Sequence, residues 1–109
     1  MTQNIAAYFW NKSVRVFQRV VRTNPNNSDA FFRLGLAYRG LGEYDKAIAT
    51  YKQAININPD SAKAHYGLGL TYVMKGDLFC ASEEFRVLDE LDTLLSERLF
   101  ECIYRESYV

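Results

Sequence analysis

The sequence predicts an all-α protein made of stacked antiparallel helix hairpins. When the chain is aligned with itself so that Pro25 falls on Pro59, nine of the 32 pairs from Asn24 to Ile55 are identical. Apolar residues also recur at intervals of three and four, which is the spacing of one helical face. Glycine and proline stand at the same places in this alignment, where helices end. The offset between Pro25 and Pro59 is 34 residues. A self-match with this period is typical of proteins whose repeated units stack on one another.

The N-terminal segment fits the same frame as an incomplete unit. In the alignment that places Pro25 on Pro59, Trp10 and Phe17 fall on aromatic residues of the next unit. Residues 1–9 are too few for a first helix of the usual length, so we expect a half repeat over residues 10–25. The aromatic side chains of this half repeat would then lack the first helix that covers the corresponding side chains in a complete unit.

Two complete units are expected over residues 28–61 and 62–95. Each is predicted to hold two helices, which span residues 29–41 and 45–57 in the first unit and 63–75 and 79–91 in the second. Cap-forming residues precede the first helix of each unit: Asn27 and Ser28, then Asp60 and Ser61. Gly42 and Gly76 follow these first helices, because glycine adopts the left-handed conformation of a tight helix end. Pro59 cannot continue a helix and separates the units.

Small residues recur where the two helices of a unit should cross. Gly35 and Ala47 in the first unit correspond to Gly69 and Ala81 in the second. A small side chain lets two antiparallel helices approach closely, and a neighbouring aromatic residue then fills the remaining space. Each helix is marginally stable alone, so stacking of units has to supply the core.

Residues 93–106 are predicted to form one more amphipathic helix. Its apolar positions are Leu94, Leu95, Leu99, Cys102 and Ile103. We interpret this helix as the cap that a terminal repeat needs. The alternative is the first helix of a further repeat in a longer parent chain, although no Leu-Gly step or tyrosine occurs in the right frame.

The residue pattern resembles the tetratricopeptide repeat family, whose unit of about 34 residues begins W-x2-L-G-x2-Y and continues with small and aromatic residues and proline. The first complete unit has Phe31, Leu34, Gly35 and Tyr38, followed by Gly42, Ala47, Tyr51, Ala54 and Pro59. The second unit departs from the pattern, because His65, Leu88 and Thr93 replace an aromatic residue, an alanine and the proline. The resemblance covers residues 10–93. It implies one domain, residues 1–109, folded as a right-handed superhelical solenoid of about two and a half units plus a capping helix.

Composition argues against several classes of function. Thirteen basic residues balance thirteen acidic ones, whereas nucleic-acid or anionic-membrane binding needs a clustered positive excess. No apolar run approaches the ~20 residues of a membrane span, and the N-terminus is a poor signal peptide. The two cysteines, Cys80 and Cys102, are widely spaced and form neither a metal motif nor a disulfide framework. We therefore expect a cytoplasmic protein with free thiols.

Catalytic and cofactor-binding patterns are not found. The single histidine, His65, falls in an aromatic position of its helix, so we interpret it as a packed structural residue. Gly67 and Gly69 lack the preceding strand and third glycine of a phosphate-binding loop. No carboxylates are placed as a general acid and base pair. The sequence thus predicts no enzyme, cofactor or metal site.

The resemblance implies a concave groove lined by one face of each first helix. The residues predicted to line it are Asp29, Phe32, Arg33, Leu36, Arg39, Lys63, Tyr66, Leu70, Val73 and Met74. One interpretation is an apolar strip edged by basic residues, which would bind an amphipathic helix or extended peptide with apolar anchors and acidic flanks. The other is that Phe32, Leu36, Tyr66 and Leu70 are core residues covered by the chain's own N-terminal segment.

Two classes of function stay open at this stage. One is an adaptor or scaffold that binds a protein or peptide in the groove. The other is a self-assembly element that forms a homo-oligomer through the groove or the exposed ends, favoured by the uncovered half repeat. Some family members bind acidic chaperone C-termini with a carboxylate clamp of Lys and Asn. Phe32, Leu36 and Gly67 hold the matching positions here, so we expect no binding of such tails.

Overall fold

The computed structural model describes residues 2–107 and the side chains of residues 5–107. Within this part of the chain there are six helices and no strand, which confirms the all-α prediction. They are α1 (Thr2–Thr23), α2 (Ser28–Gly40), α3 (Tyr44–Ile57), α4 (Ala62–Lys75), α5 (Leu78–Leu91) and α6 (Thr93–Ser107). Helices α2 and α3 form one antiparallel hairpin, and α4 and α5 form the next.

The first helix of each hairpin starts and stops on the residues that the sequence indicates. The Asn27 side chain accepts a hydrogen bond from the backbone N–H of Ala30 at 2.9 Å, and Ser61 caps α4 in the same way through Ala64 at 3.3 Å. Gly42 and Gly76 have φ angles of 77° and 89° after α2 and α4. These left-handed turns reverse the chain so that the second helix of each hairpin packs back on the first.

Tyr51 forms the centre of the core between the two hairpins. Its side chain projects from α3 and is completely buried. A Cβ atom added to Gly35 in α2, or to Gly67 in α4, would lie 2.8 Å from the Tyr51 ring. The tyrosine ring therefore occupies space that only glycine leaves free on both flanking helices, and this contact fixes the distance between the units.

Helix α6 closes the C-terminal end of the stack against α4 and α5. Only Asp92 separates it from α5, and the Asp92 side chain caps α6 by accepting a hydrogen bond from the Leu95 N–H at 3.1 Å. Leu99 is fully buried, and one of its methyl groups lies where Gly69 would carry a Cβ atom. Leu99 thus packs α6 against α4.

Helix α1 is longer than the half repeat expected over residues 10–25. It runs without interruption from Thr2 to Thr23, because no glycine or proline stands in this segment to end it. Trp10 packs directly on Gly40, where an added Cβ atom would overlap the indole ring. Among the described helices α1 packs only against α2. Residues 2–9 therefore extend a second-type helix, one equivalent to α3 and α5 as the second helix of a unit, and do not form a separate first helix.

Candidate partner-binding groove

Helices α2 and α4 carry the ten residues predicted to line the groove, and none of the ten is fully buried. The exposed ones are Asp29, Arg33, Lys63 and Met74, and the half-buried ones are Phe32, Leu36, Arg39, Tyr66, Leu70 and Val73. Their intermediate exposure contrasts with the residues on the opposite sides of the same helices, such as Ala37 and Leu68, which are buried.

A charge cluster lies at the end of the groove where α2 and α4 begin. The Asp29 carboxylate accepts hydrogen bonds from Arg33 Nε at 2.7 Å and from Lys63 Nζ. Both hydrogen bonds lower the pKa of the Asp29 carboxyl below its usual value, and the bond from Lys63 contributes most. Lys63 Nζ also lies 4.9 Å from the centre of the Phe32 ring, a cation–π distance. Two of the predicted basic edge residues are therefore paired within the chain.

A pocket of about 300 Å³ lies at the other end of the groove, between α4 and α6. Leu70, Val73 and Met74 supply apolar walls from α4, while Arg39 from α2 and Arg105 from α6 contribute positive charge. Cys102 and Glu106 complete the lining. No ion pair involves Arg39 among the residues with described side chains. The pocket thus combines an apolar surface with an available guanidinium group.

A second pocket, of about 190 Å³, lies between α1 and α2. Its walls are mainly apolar, and it is lined by Phe9, Trp10, Ser13, Phe17, Arg33 and Leu36. The N-terminal helix therefore lies beside Leu36 without burying it. Phe32 packs instead on Tyr51, with ring centres 5.9 Å apart, and contributes one face to the core. Neither pocket is filled by the chain's own described side chains.

His65 lies outside the groove and has a structural environment. It is 7% exposed, with Nδ1 2.7 Å from Glu84 Oε2 and Nε2 2.8 Å from the Pro59 carbonyl oxygen. Hydrogen bonding to Glu84 is the main cause that raises the pKa of this imidazole, and the bond to Pro59 adds to it. Both ring nitrogens face acceptors, so His65 is occupied in joining α4 to α5 and to the preceding loop.

Metal-binding and membrane-spanning features are not seen in the described part of the chain. Its residues contain no group of three or more His, Cys, Asp or Glu side chains that could hold a metal ion. None of the helices they form is both long and apolar enough to cross a membrane. The pocket between α4 and α6 and the pocket between α1 and α2 are two concave features with mainly apolar walls.

The repeat assignment follows from sequence comparison. A TPR repeat model matches residues 35–76 and a tetratricopeptide repeat model matches residues 16–49, and together they span more than half of the chain. The chain belongs to the tetratricopeptide repeat family. No curated protein matches this sequence.

Solved structures of three proteins show how the repeat fold is used elsewhere. MamA from Desulfovibrio magneticus RS-1 is 32% identical, with a TM-score of 0.74 over 77% of this chain and 48% of that one. The chain thus spans about half the length of the MamA structures that it matches. The Yersinia enterocolitica type III secretion chaperone SycD, solved with a peptide of the translocator YopD, is 20% identical, with a TM-score of 0.83 over 97% of this chain and 89% of that one. PcrH, solved with the chaperone-binding region of PopD, is 18% identical, with a TM-score of 0.82 over 94% and 81%. At these last two identities the likeness shows the fold alone.

The pocket between α4 and α6 includes residues that the sequence analysis did not select. Cys102, Arg105 and Glu106 lie on the helix that the sequence analysis interprets as a cap, with the first helix of a further repeat as the alternative. The signal for them is their spacing of three and four, which places them on one face of α6. If α6 is treated as a first-type helix, one equivalent to α2 and α4 with its own groove-facing side, these three residues are predicted.

Proposed function

We propose that this protein is a non-catalytic adaptor or scaffold of the cytoplasm that binds a peptide or short helix of a partner protein in its concave groove. The observation that carries this proposal is the pocket between α4 and α6, which has apolar walls and the available guanidinium group of Arg39. Concave, largely apolar surfaces with a few placed polar groups are the usual form of a binding site.

The pocket chemistry favours one class of partner segment. Leu70, Val73 and Met74 would contact an apolar anchor side chain, and Arg39 with Arg105 would pair with a carboxylate next to it. The charge cluster of Asp29, Arg33 and Lys63 at the far end is already internally paired, so it offers less to an acidic partner. We therefore expect the acidic flank of the partner to lie beside Arg39 and Arg105.

Two structural neighbours support binding of a partner segment by this fold. SycD was solved with a peptide of the translocator YopD and PcrH with the chaperone-binding region of PopD, and this chain covers most of both. Their low identity gives no guide to the residues of the partner. The chemistry of the partner is instead inferred from the pocket itself.

The test is selection of peptides from a random display library on the 109-residue chain, followed by fluorescence anisotropy with the selected peptides. We expect selected peptides to combine large apolar residues with Asp or Glu. Leu70→Asp should abolish binding and Arg39→Glu should weaken it for acidic peptides in particular. Phe79→Ser is the matched control, because Phe79 is 73% exposed on α5 and outside the groove. Equal binding by wild type and Leu70→Asp would contradict the proposal.

A further inference from the structure

One face of α1 is open where the equivalent face of α3 is covered. The alignment that places Pro25 on Pro59 also places Ser13, Val16, Phe17 and Val20 on Ala47, Thr50, Tyr51 and Ala54. The four α3 residues are all buried, because both α2 and α4 pack against α3, whereas α1 has only α2. By contrast Val16 is 44% exposed, and Ser13, Phe17 and Val20 are only half-buried.

The pocket between α1 and α2 lies where a first-type helix would pack. Its lining residues Ser13, Phe17 and Leu36 correspond to Ala47, Tyr51 and Leu70 in the next unit. There, α2 occupies the matching position, with Gly35 directly on the Tyr51 ring. In the described part of the chain no helix occupies that position on α1. The pocket is therefore shaped for a helix of the first type.

Helix α6 is a first-type helix whose outward face is open. It packs on α5 and α4 as α4 packs on α3 and α2. Phe100 and Tyr104 on α6 are 51% and 54% exposed, with ring centres 6.1 Å apart, and the Phe100 ring also lies 5.7 Å from that of Phe85 on α5. Glu97 and Glu101 are exposed beside them at helical spacing. The described residues contain no second-type helix packed on this face.

The two ends of the molecule carry opposite charge. Helix α1 has four basic residues, Lys12, Arg15, Arg19 and Arg22, and no acidic one. The segment 78–107 has eight carboxylates and three arginines. The zero net charge of the whole chain therefore conceals a basic end and an acidic end. Complementary charge of this kind steers two surfaces together and selects their partner.

We propose that α6 of one copy docks on the open face of α1 of a second copy, so that the two helices complete a hairpin between chains. Phe100 and Tyr104 would fill the apolar pocket formed with Phe9 and Phe17, while Glu97 and Glu101 face Lys12 and Arg19. The proposal concerns the ends of the molecule and does not depend on peptide binding in the groove.

This contact joins two different surfaces, so a pair of copies keeps one free α1 face and one free α6 face. Such a head-to-tail interface continues as an open assembly unless rotation between copies closes a ring. Its exposed charges make it sensitive to salt, since the Debye length falls to roughly 10 Å at 0.1 M ionic strength. We expect the average mass to rise with protein concentration and to fall when salt is added.

Charge reversal tests the pairing directly by sedimentation velocity on the 109-residue chain. One variant carries Lys12→Glu and Arg19→Glu, and the other carries Glu97→Lys and Glu101→Lys. Each variant alone places like charges across the contact, so the dissociation constant of its self-assembly should rise by at least about tenfold. An equimolar mixture should recover assembly, because each variant then meets opposite charge at both of its ends.

An aromatic variant and its control complete the experiment. Phe100→Ser should weaken assembly, whereas Phe79→Ser, which removes a more exposed aromatic side chain from α5, should not. Circular dichroism of each variant verifies that it is folded. Monomeric wild type at all concentrations, or a variant mixture that stays dissociated, would each overturn the proposal.

Discussion

His65 and Glu84 form a buried hydrogen-bonded pair between α4 and α5, with 2.7 Å between the imidazole Nδ1 and the carboxylate Oε2. The other ring nitrogen, Nε2, points at the Pro59 carbonyl oxygen. Since a carbonyl and a carboxylate both accept, the arrangement is fully satisfied only when both nitrogens carry a proton. This arrangement favours the protonated form of the chain's one histidine and raises its pKa.

We predict that stability decreases as pH rises through the folded pKa of His65. That pKa is raised, chiefly by Glu84, with Pro59 and Asp60 adding in the same direction. A raised folded pKa means that protonation stabilises the fold. The contribution is fully present below the unfolded value of about 6.5 and is lost above the folded pKa. Melting temperature measured from pH 5 to 9 should show this loss.

Nuclear magnetic resonance of the single imidazole measures the same equilibrium without assignment ambiguity. Glu84→Gln should lower the pKa of His65, because the charged partner is removed while the side-chain shape is kept. His65→Phe, which restores the aromatic residue typical of this repeat position, should abolish the pH dependence in this window. A His65 pKa at or below about 6.5 in the wild-type protein would contradict the prediction.

Gly35 should tolerate no large side chain. A Cβ atom there would lie 2.8 Å from Tyr51 Cδ1, and the ring has little room to move because Gly67 of α4 also packs closely on it. We expect Gly35→Leu and Ala47→Leu each to lower the free energy of unfolding by about 1–3 kcal/mol or more through overpacking. Urea denaturation measures the change. Ala49→Leu, on the exposed side of α3, is the control and should be nearly neutral.

The Tyr51 hydroxyl gives a prediction of the opposite sign. It is buried and has no hydrogen-bond partner among the described residues. Desolvating a hydroxyl without a partner is unfavourable, so Tyr51→Phe should leave stability unchanged or raise it by up to about 1 kcal/mol. Urea denaturation of the two proteins under one condition is sufficient. A clear loss of stability in the phenylalanine variant would show that the hydroxyl makes a bond that stabilises the fold.

The helices of the two complete units were predictable because local signals mark their ends. Asn27, Ser61, Gly42 and Gly76 each occupy the cap or turn position that their chemistry indicates. Nothing comparable marks residues before Trp10, and α1 extends to Thr2. Sequence reasoning could not place that start, since helix continuation there depends on the absence of a breaking residue.

The groove was predicted less completely, because α6, which forms its last wall, does not follow the spacing of the preceding repeats. Asp92 alone links α5 to α6, which is shorter than the 58–61 linker between α3 and α4. Buried Leu99 consequently takes the role of Leu68 at a spacing shorter than the repeat, and the self-alignment of the sequence misses it. The Asp29–Lys63 pair, in contrast, could have been found, because residues one repeat apart lie side by side on neighbouring first helices.

The final prediction is that the groove does not bind acidic chaperone C-termini. A carboxylate clamp needs charged or amide donors that converge on one point. At the matching positions Phe32 and Leu36 present apolar side chains, and Gly67 lies buried against Tyr51. The nearest ammonium group, on Lys63, is hydrogen-bonded to Asp29 and lies over the Phe32 ring, so a tail carboxylate would have to displace an ion pair already formed.

Fluorescence titration with an acidic tail peptide should therefore show no saturation in the low-micromolar range, and its C-terminally amidated form should behave identically. Asp29→Asn, which releases Lys63 and Arg33, is the informative variant. If weak tail binding appears in that variant alone, the internal ion pair excludes the carboxylate, whereas tight amidation-sensitive binding to the wild type would show that the groove presents donors at other positions.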